Sequence, residues 1–296
     1  MKALVVGASG QVGFALSARL RERGWDVMGT HGRVVLAGLQ PLDIADLGAV
    51  ERRIGAAPVD CVFFAAALTA VDACEEDPAA AMRLNRDAPA AAARAAAKQG
   101  ARFVYYSTEY VFDGSRGPYA EDDPPCPVSV YGRSKREGEL AALDENALAV
   151  VLRSSVVYGP EPQGKNFVYQ LRRRLGPASR ETMKVAVDQV SCPTYNADLA
   201  AASVELVERG LAGVFHVAGG DALDRYAFAR LACEVFGLDA GRLEPMTTAA
   251  LGQRARRPLS GALRTDRARG VLTTALRGAR EGLMAMARAL APGGGG

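Results

Sequence analysis

Two kinds of segment alternate along the chain. Short apolar runs rich in β-branched and aromatic residues ("KALVVGA", "DVMGT", "CVFFAAA", "RFVYYST" and "LAVVLRSSVVYG") stay apolar at consecutive positions instead of switching between apolar and polar. Strands with that pattern are buried on both faces. Between them lie longer stretches with helical spacing: Gly13 to Arg23, a segment around Ala45 to Ile54, Pro78 to Lys98, and Tyr131 to Leu143. The alternation predicts an α/β fold, a Rossmann-type doubly wound parallel sheet with helices on both faces. Alanine-rich Pro78–Lys98 reads as a tightly packed helix with a local kink at Pro89.

Past about residue 160 the alternation weakens and Pro, Gly and Arg become more frequent. One further buried strand is expected near 213–219, in "GVFHVAG", with helices from Tyr226 and Arg280. The expected organisation is a sheet domain over 1–160, a smaller interleaved C-terminal lobe over 161–292, and a disordered tail at 293–296.

Composition narrows the partners. The chain has 296 residues, 49% hydrophobic, enough for a large core. With 36 basic and 33 acidic residues the net charge is +3, so nothing argues for nucleic acid or an anionic membrane. Five cysteines, odd in number and without a Cys-x-x-Cys, read as reduced thiols of a cytoplasmic protein. The two histidines show no metal-ligand spacing, and no metal is expected. Neither a leader segment nor a run of about 18 apolar residues is visible.

Chemistry enters at "VVGASGQVG", which sets Gly7, Gly10 and Gly13 between the first strand and first helix. Glycines there permit a tight turn and close approach to a pyrophosphate, with Ser9, Gln11 and Val12 offering loop contacts at the helix N-terminus. The Gly-x-x-Gly-x-x-Gly spacing resembles the extended short-chain dehydrogenase/reductase superfamily. At the end of the second strand an NAD enzyme offers a carboxylate to the ribose. Here "MGTHGR" has none, and Thr30, His31 and Arg33 are placed to receive a 2′-phosphate, which favours NADP(H) over NAD(H). Arg33 equally reads as an exposed loop residue. Asp43 and Ile44, in "PLDIADL", fall where such folds contact adenine, and Asp43 equally reads as a helix cap.

"VSVYGRSKREGE" holds the one place where a lysine follows a tyrosine by four positions. On a helix, Tyr131 and Lys135 share a face. A free phenol titrates near pH 10, and a neighbouring cation brings it toward neutrality. Ser107 and Thr108, at the end of "RFVYYST", supply a hydroxyl to orient a carbonyl.

Together, "STEYVFDG…PYAEDDPP…VYGRSKREGE", "AAALTAVDACEEDP…LN", "LRSSVVYG", "GKNFV", "DQVSCPTYNADLA" and "GVFHVAGG" resemble the dTDP-4-dehydrorhamnose reductase family and its relative, the regulatory β subunit of methionine adenosyltransferase. The resemblance reaches to about residue 270. It implies that Thr108, Tyr131 and Lys135 are catalytic, with Tyr131 protonating the C4 oxygen of a nucleotide-activated 4-keto-6-deoxyhexose as NADPH delivers hydride to C4. It places Ala65, Ala66 and Ala67 beside the cofactor and Thr69, Val71 and Tyr110 near substrate or nicotinamide. Asn166 and Arg257 lie in motif regions and are candidate substrate ligands, Arg257 for a diphosphate together with Arg254 and Arg256. Arg172, Arg173 and Arg174 read as a solvated helix face, and His216 as a satisfied core residue.

Four departures concern the sugar half. Val156 stands where the family commonly has an aromatic residue in the sugar pocket, Ser191 replaces a glycine, Ser260 and Gly261 replace Asn and Ser, and Glu109 replaces the usual Asp. The expected function is therefore an NADPH-dependent reductase of a nucleotide sugar. A non-catalytic NADP-binding regulatory subunit and a nucleotide-sugar epimerase stand as alternatives. A homodimer is compatible with all three.

Overall fold

The computed structural model describes residues 1–291, so the expected tail at 293–296 lies outside the described residues. The first half walks through β1 (Lys2–Val6), α1 (Gln11–Glu22), β2 (Asp26–His31), β3 (Gln40–Pro41), α2 (Leu47–Gly55) and β4 (Cys61–Phe64). Two short helices, α3 (Val71–Glu76) and α4 (Pro78–Met82), lead through a π-turn at Arg83–Asp87 into α5 (Ala88–Lys98). Then come β5 (Arg102–Thr108), a 3₁₀ turn at Glu109–Val111, α6 (Val130–Glu145) and β6 (Ala149–Ser154).

The second half contributes β7 (Val157–Tyr158), α7 (Phe167–Leu175), β8 (Met183–Ala186), β9 (Val190–Ser191), β10 (Thr194–Tyr195) and α8 (Asn196–Glu208). It continues with β11 (Gly213–His216), β12 (Leu223–Asp224), α9 (Arg225–Phe236), β13 (Leu243–Met246), α10 (Thr248–Leu251), α11 (Asp266–Val271) and α12 (Ala279–Ala289). No helix among the described residues is long and apolar enough to cross a membrane.

Seven strands form one parallel sheet in the order β11-β6-β5-β4-β1-β2-β3. The expected α/β doubly wound class is the observed one. Strand residues alternate between two cores, which is why the runs are continuously apolar. Ala3, Val5, Phe63, Val104 and Leu152 pack toward α1 and α8, while Leu4, Val6, Val62, Phe103 and Val151 pack toward α2 and α5. The alanines of α5 are small because the helix is enclosed: Ala88, Ala92, Ala93 and Ala96 are fully buried between α2 and α6. The irregularity expected at Pro89 begins earlier, at the π-turn; Pro89 follows it inside one continuous helical run, and the Asn85 carbonyl four residues back accepts the Tyr105 hydroxyl. A third core, built from Tyr158, Leu171, Val185, Phe228 and Leu283, unites α7, α9 and α12 with the short strands of the second half.

Candidate active site

The candidate residues gather at the carboxyl ends of the central strands, where open α/β sheets carry their ligand crevice. At the end of β1, Gly7 has φ +86°, and a Cβ there would stand 2.8 Å from the Ala66 nitrogen. Only glycine fits, because both the conformation and the Ala65–Ala67 segment beside it exclude a side chain. Gly10 caps α1 without a side-chain acceptor, so the first-turn N–H groups stay available to an anion. Gln11 Nε2 is buried with no partner among the described residues, and Ser9 uses its carbonyl to hold Gln163 of the second half at 2.9 Å. An orphaned amide donor beside open helix N–H groups fits a phosphate-bearing cofactor.

The adenine end is rearranged relative to expectation. Thr30 is buried, and its Oγ1 accepts the Gly7 N–H at 3.2 Å; His31 is also buried, its Nδ1 2.8 Å from the Gly32 carbonyl. Both are committed to shaping the loop, which leaves Arg33 as the exposed cation of the three. Asp43 folds a local turn by accepting the Ala45 N–H, and Asp46 is the residue that caps α2. Ile44 packs against the core beneath.

Tyr131 and Lys135 lie on α6, which Ser129 starts by accepting the Gly132 N–H at 3.1 Å. Tyr131 is 9% and Lys135 2% exposed. Thr108 Oγ1 accepts the Tyr110 N–H at 3.2 Å and donates to Glu109 Oε2 at 3.1 Å. The Tyr110 ring meets that of Tyr131 edge-on at 5.5 Å. The Lys135 ammonium sits 4.0 Å over the Tyr105 ring, and burial draws its pKa down to about 7 against the upward pull of Glu139. Burial and then the Glu109 charge push the Tyr131 phenol up, with the Thr108 contact acting downward. The expectation that a cation draws this phenol toward neutrality is therefore reversed in the free protein, where Tyr131 is held protonated. A phenol in that state is a proton donor. Glu109, also buried, is pushed up to about 7 by loss of hydration.

Behind this group, Ser107 Oγ donates to Glu139 Oε1 at 2.6 Å, and Arg153 grips both Glu139 oxygens at 2.8 Å. Arg136 adds a contact at 2.8 Å. His216 is fully buried, 3.3 Å from the Arg153 guanidinium, with Nδ1 3.1 Å from the Arg264 carbonyl. Asn85, in the π-turn, fixes the loop after β4 by bonding Leu68 through both groups of its amide and reaches the Ser134 hydroxyl of α6 at 3.0 Å. Its carbonyl accepts the Tyr105 hydroxyl at 2.7 Å, and a Cβ at Gly138 would overlap both. Periodicity carries no mark of Asn85, Glu139 or Arg153 as site-supporting residues; polar residues inside the predicted helices and strand are the only signal.

A cleft of about 400 Å³ opens beside these residues, lined by Tyr110, Val156, Phe167, Gln189, Arg225 and Arg257 among others. Val156 carries φ +40°, which is costly for a β-branched side chain. Arg257 is tied to Asp72 through two bonds of 2.7 and 3.0 Å. Arg254 pairs with Glu76 at 2.5 Å on the surface. Arg225, missed from the sequence, has no carboxylate within ion-pair distance among the described residues and lies 5.0 Å over Phe167. Asn166 caps α7 and bonds the Gly159 carbonyl at 2.8 Å, so its placement is explained by the helix. Arg174 pairs with Glu181 and Arg172 stacks over Tyr169 and Phe236. Arg172, Arg173, Tyr169 and Phe236 border a separate groove of about 500 Å³ that shares no residue with the cleft. Thr69 and Val71 stand at the end of the loop after β4 and the start of α3, Thr69 exposed and Val71 packed near Tyr131.

Comparison with known proteins matches the profile described as "RmlD substrate binding domain" to residues 1–291. The chain is 35% identical over 278 residues to a dTDP-4-dehydrorhamnose reductase of Sinorhizobium fredii, covering 90% of each. It is 31% identical over 251 residues to methionine adenosyltransferase 2 subunit beta of Pongo abelii, covering 83% of this chain and 75% of that one. A crystal structure of the dTDP-4-dehydrorhamnose reductase of Bacillus anthracis in complex with NADP superimposes with a TM-score of 0.88 at 29% identity, covering 96% and 98% of the two chains.

Proposed function

The chain belongs to the RmlD substrate binding domain family, and on that premise we propose that it is an NADPH-dependent reductase acting on the C4 carbonyl of a nucleoside-diphosphate 4-keto-6-deoxyhexose. The observation that carries the reading is the Thr108–Tyr131–Lys135 group, buried at the sheet's crevice with its phenol protonated. The cofactor, when bound, supplies the hydride.

The loop of Gly7, Gly10 and Gly13, with Ser9, Gln11 and Val12, would hold its pyrophosphate, and Arg33 the 2′-phosphate. Asp43, Ile44 and Ala65 to Ala67 would flank its adenosine half and middle. Lys135 would hold the ribose next to the nicotinamide. On the substrate side, Thr108 directs the carbonyl oxygen and Tyr131 gives that oxygen its proton. Thr69, Val71, Tyr110 and Val156 shape the sugar end, and Arg257, braced by Asp72, faces the nucleotide part with Arg225 as the unpaired cation. Asn166 acts through the helix it caps. A cytoplasmic location and a homodimer accompany this reading.

The test is stoichiometric NADPH oxidation with a panel of dTDP-, UDP- and GDP-linked 4-keto-6-deoxysugars. Turnover of at least one is expected, and Arg33→Ala should weaken NADPH binding while leaving NADH binding unchanged. Kinship with the methionine adenosyltransferase subunit favours a second reading, a regulatory NADP-binding protein. Tight NADP binding without turnover of any keto-sugar would select it, and product formation without net NADPH consumption would instead select an epimerase.

A further inference from the structure

Gly261 has an ordinary backbone conformation, so its lack of a side chain is a matter of space. A Cβ built there would stand 3.0 Å from Cγ and 3.7 Å from Cβ of Glu109. Apolar carbons rest about 3.5–4.0 Å apart, so the Glu109 side chain occupies the room that residue 261 leaves. The backbone on both sides is anchored. The Gly261 N–H donates to the Val190 carbonyl at 2.9 Å, Ser260 donates to Gly114 at 3.0 Å, and the Ala262 carbonyl accepts from Tyr119 at 2.8 Å. Opposite, Glu109 opens the 3₁₀ turn, its carbonyl accepting the Phe112 N–H at 3.0 Å.

The side chain held in that slot is 5% exposed and reaches back to Thr108. A threonine side chain can place its oxygen in more than one staggered rotamer unless partners hold that oxygen. Thr108 Oγ1 has two fixed partners, the Tyr110 N–H and Glu109 Oε2. We propose that Glu109 is a positioning residue that holds the Thr108 oxygen at its working place while its proton is free to turn to the arriving carbonyl, and that the missing side chain at Gly261 sets the reach of Glu109. The two departures noted in the sequence at positions 109 and 261 are then one exchange: the longer acid and the glycine that makes room for it. The inference rests on the reductase reading.

The experiment is a double-mutant cycle in the full chain, with Gly261→Ala, Glu109→Ala, the double variant and Glu109→Gln, reading kcat, KM, NADPH affinity and thermal unfolding. Glu109→Ala should lower kcat about tenfold or more, with NADPH affinity within about twofold of the parent. Gly261→Ala should lower kcat similarly by displacing the acid, yet change it by less than about twofold when Glu109 is already Ala. Glu109→Gln keeps the shape and an acceptor oxygen, so it should stay within about fivefold of the parent. Equal effects of Gly261→Ala in both backgrounds would overturn the steric coupling, and full activity in Glu109→Ala would overturn the positioning role. If the parent reduces no keto-sugar, the reductase reading fails instead. The coupling is still decided then by unfolding, since Gly261→Ala must lower the midpoint only when Glu109 is present.

Discussion

Lys135 and Glu139 stand one turn apart on α6, both shut away from water, in opposite surroundings. Glu139 accepts from Ser107, Arg136 and Arg153, and although burial opposes its ionisation, the Arg153 contact and charge hold its carboxyl below the usual range. Lys135 has an aromatic face and no carboxylate within ion-pair distance among the described residues. A buried charge with every bond satisfied holds elements together, here α6, β5 and β6. One left without an acid costs stability, and such unpartnered groups mark the places where a ligand completes the set. One helix thus carries a structural charge and a functional one.

The largest expected effect breaks the structural side. Arg153→Leu takes the two-pronged partner from the Glu139 carboxylate, leaving it Arg136 and Ser107, and should cost up to about 3–5 kcal/mol, or a fall of up to about 10 °C in the thermal unfolding midpoint. A midpoint within about 2 °C of the parent would show that the network holds nothing together. The functional side should respond in the other observable. Tyr131→Phe removes one hydroxyl and no buried charge, so kcat should drop by about a hundredfold or more while the unfolding midpoint stays in place.

Lys135→Met sharpens the contrast through pH. The folded lysine titrates at about 7 and the unfolded one near 10.5, so the unfolded state binds more protons between those values. Lysine therefore destabilises the free protein progressively as pH falls from 10 toward 7. The methionine variant should be more stable than the parent at pH 6 to 7, by no more than a few kcal/mol, and match it above pH 10. Denaturant unfolding without cofactor at pH 6.5 and 10 measures the difference. A variant no more stable at pH 6.5 would mean that burial does not destabilise the Lys135 ammonium.

The two halves of the molecule were unequally legible in the sequence. The sheet announces itself because doubly buried strands must be apolar at every position, and "GASGQVG" and the Tyr131–Lys135 spacing are local patterns whose geometry follows from helix and turn periodicity. Arg33 was separable from Thr30 and His31 only once β2 showed the latter two turned inward. Arg257 and Asn166 were drawn from motif position, which does not say that one is braced by Asp72 and the other caps a helix. Arg225, Asn85 and the Glu109–Gly261 fit depend on segments 17 to 152 residues apart or on a pocket wall, and no periodicity encodes such pairings.

Val156 gives the smallest expected change. Its φ of +40° stores about 1–2 kcal/mol that an ordinary L-residue would avoid. Val156→Gly releases that strain but loses part of a half-buried side chain and adds backbone freedom to the unfolded chain, each worth about 1 kcal/mol. The terms nearly cancel, so the unfolding midpoint should move by less than about 3 °C. The same exchange at fully buried Val151, whose strand backbone is relaxed, should cost several times more. Glycine at 156 also widens the cleft wall between Tyr110 and Phe167, so KM for the keto-sugar should shift while NADPH affinity holds. A large loss of stability at 156 would mean that the unusual backbone is paid for by contacts stronger than those its half-exposed side chain makes.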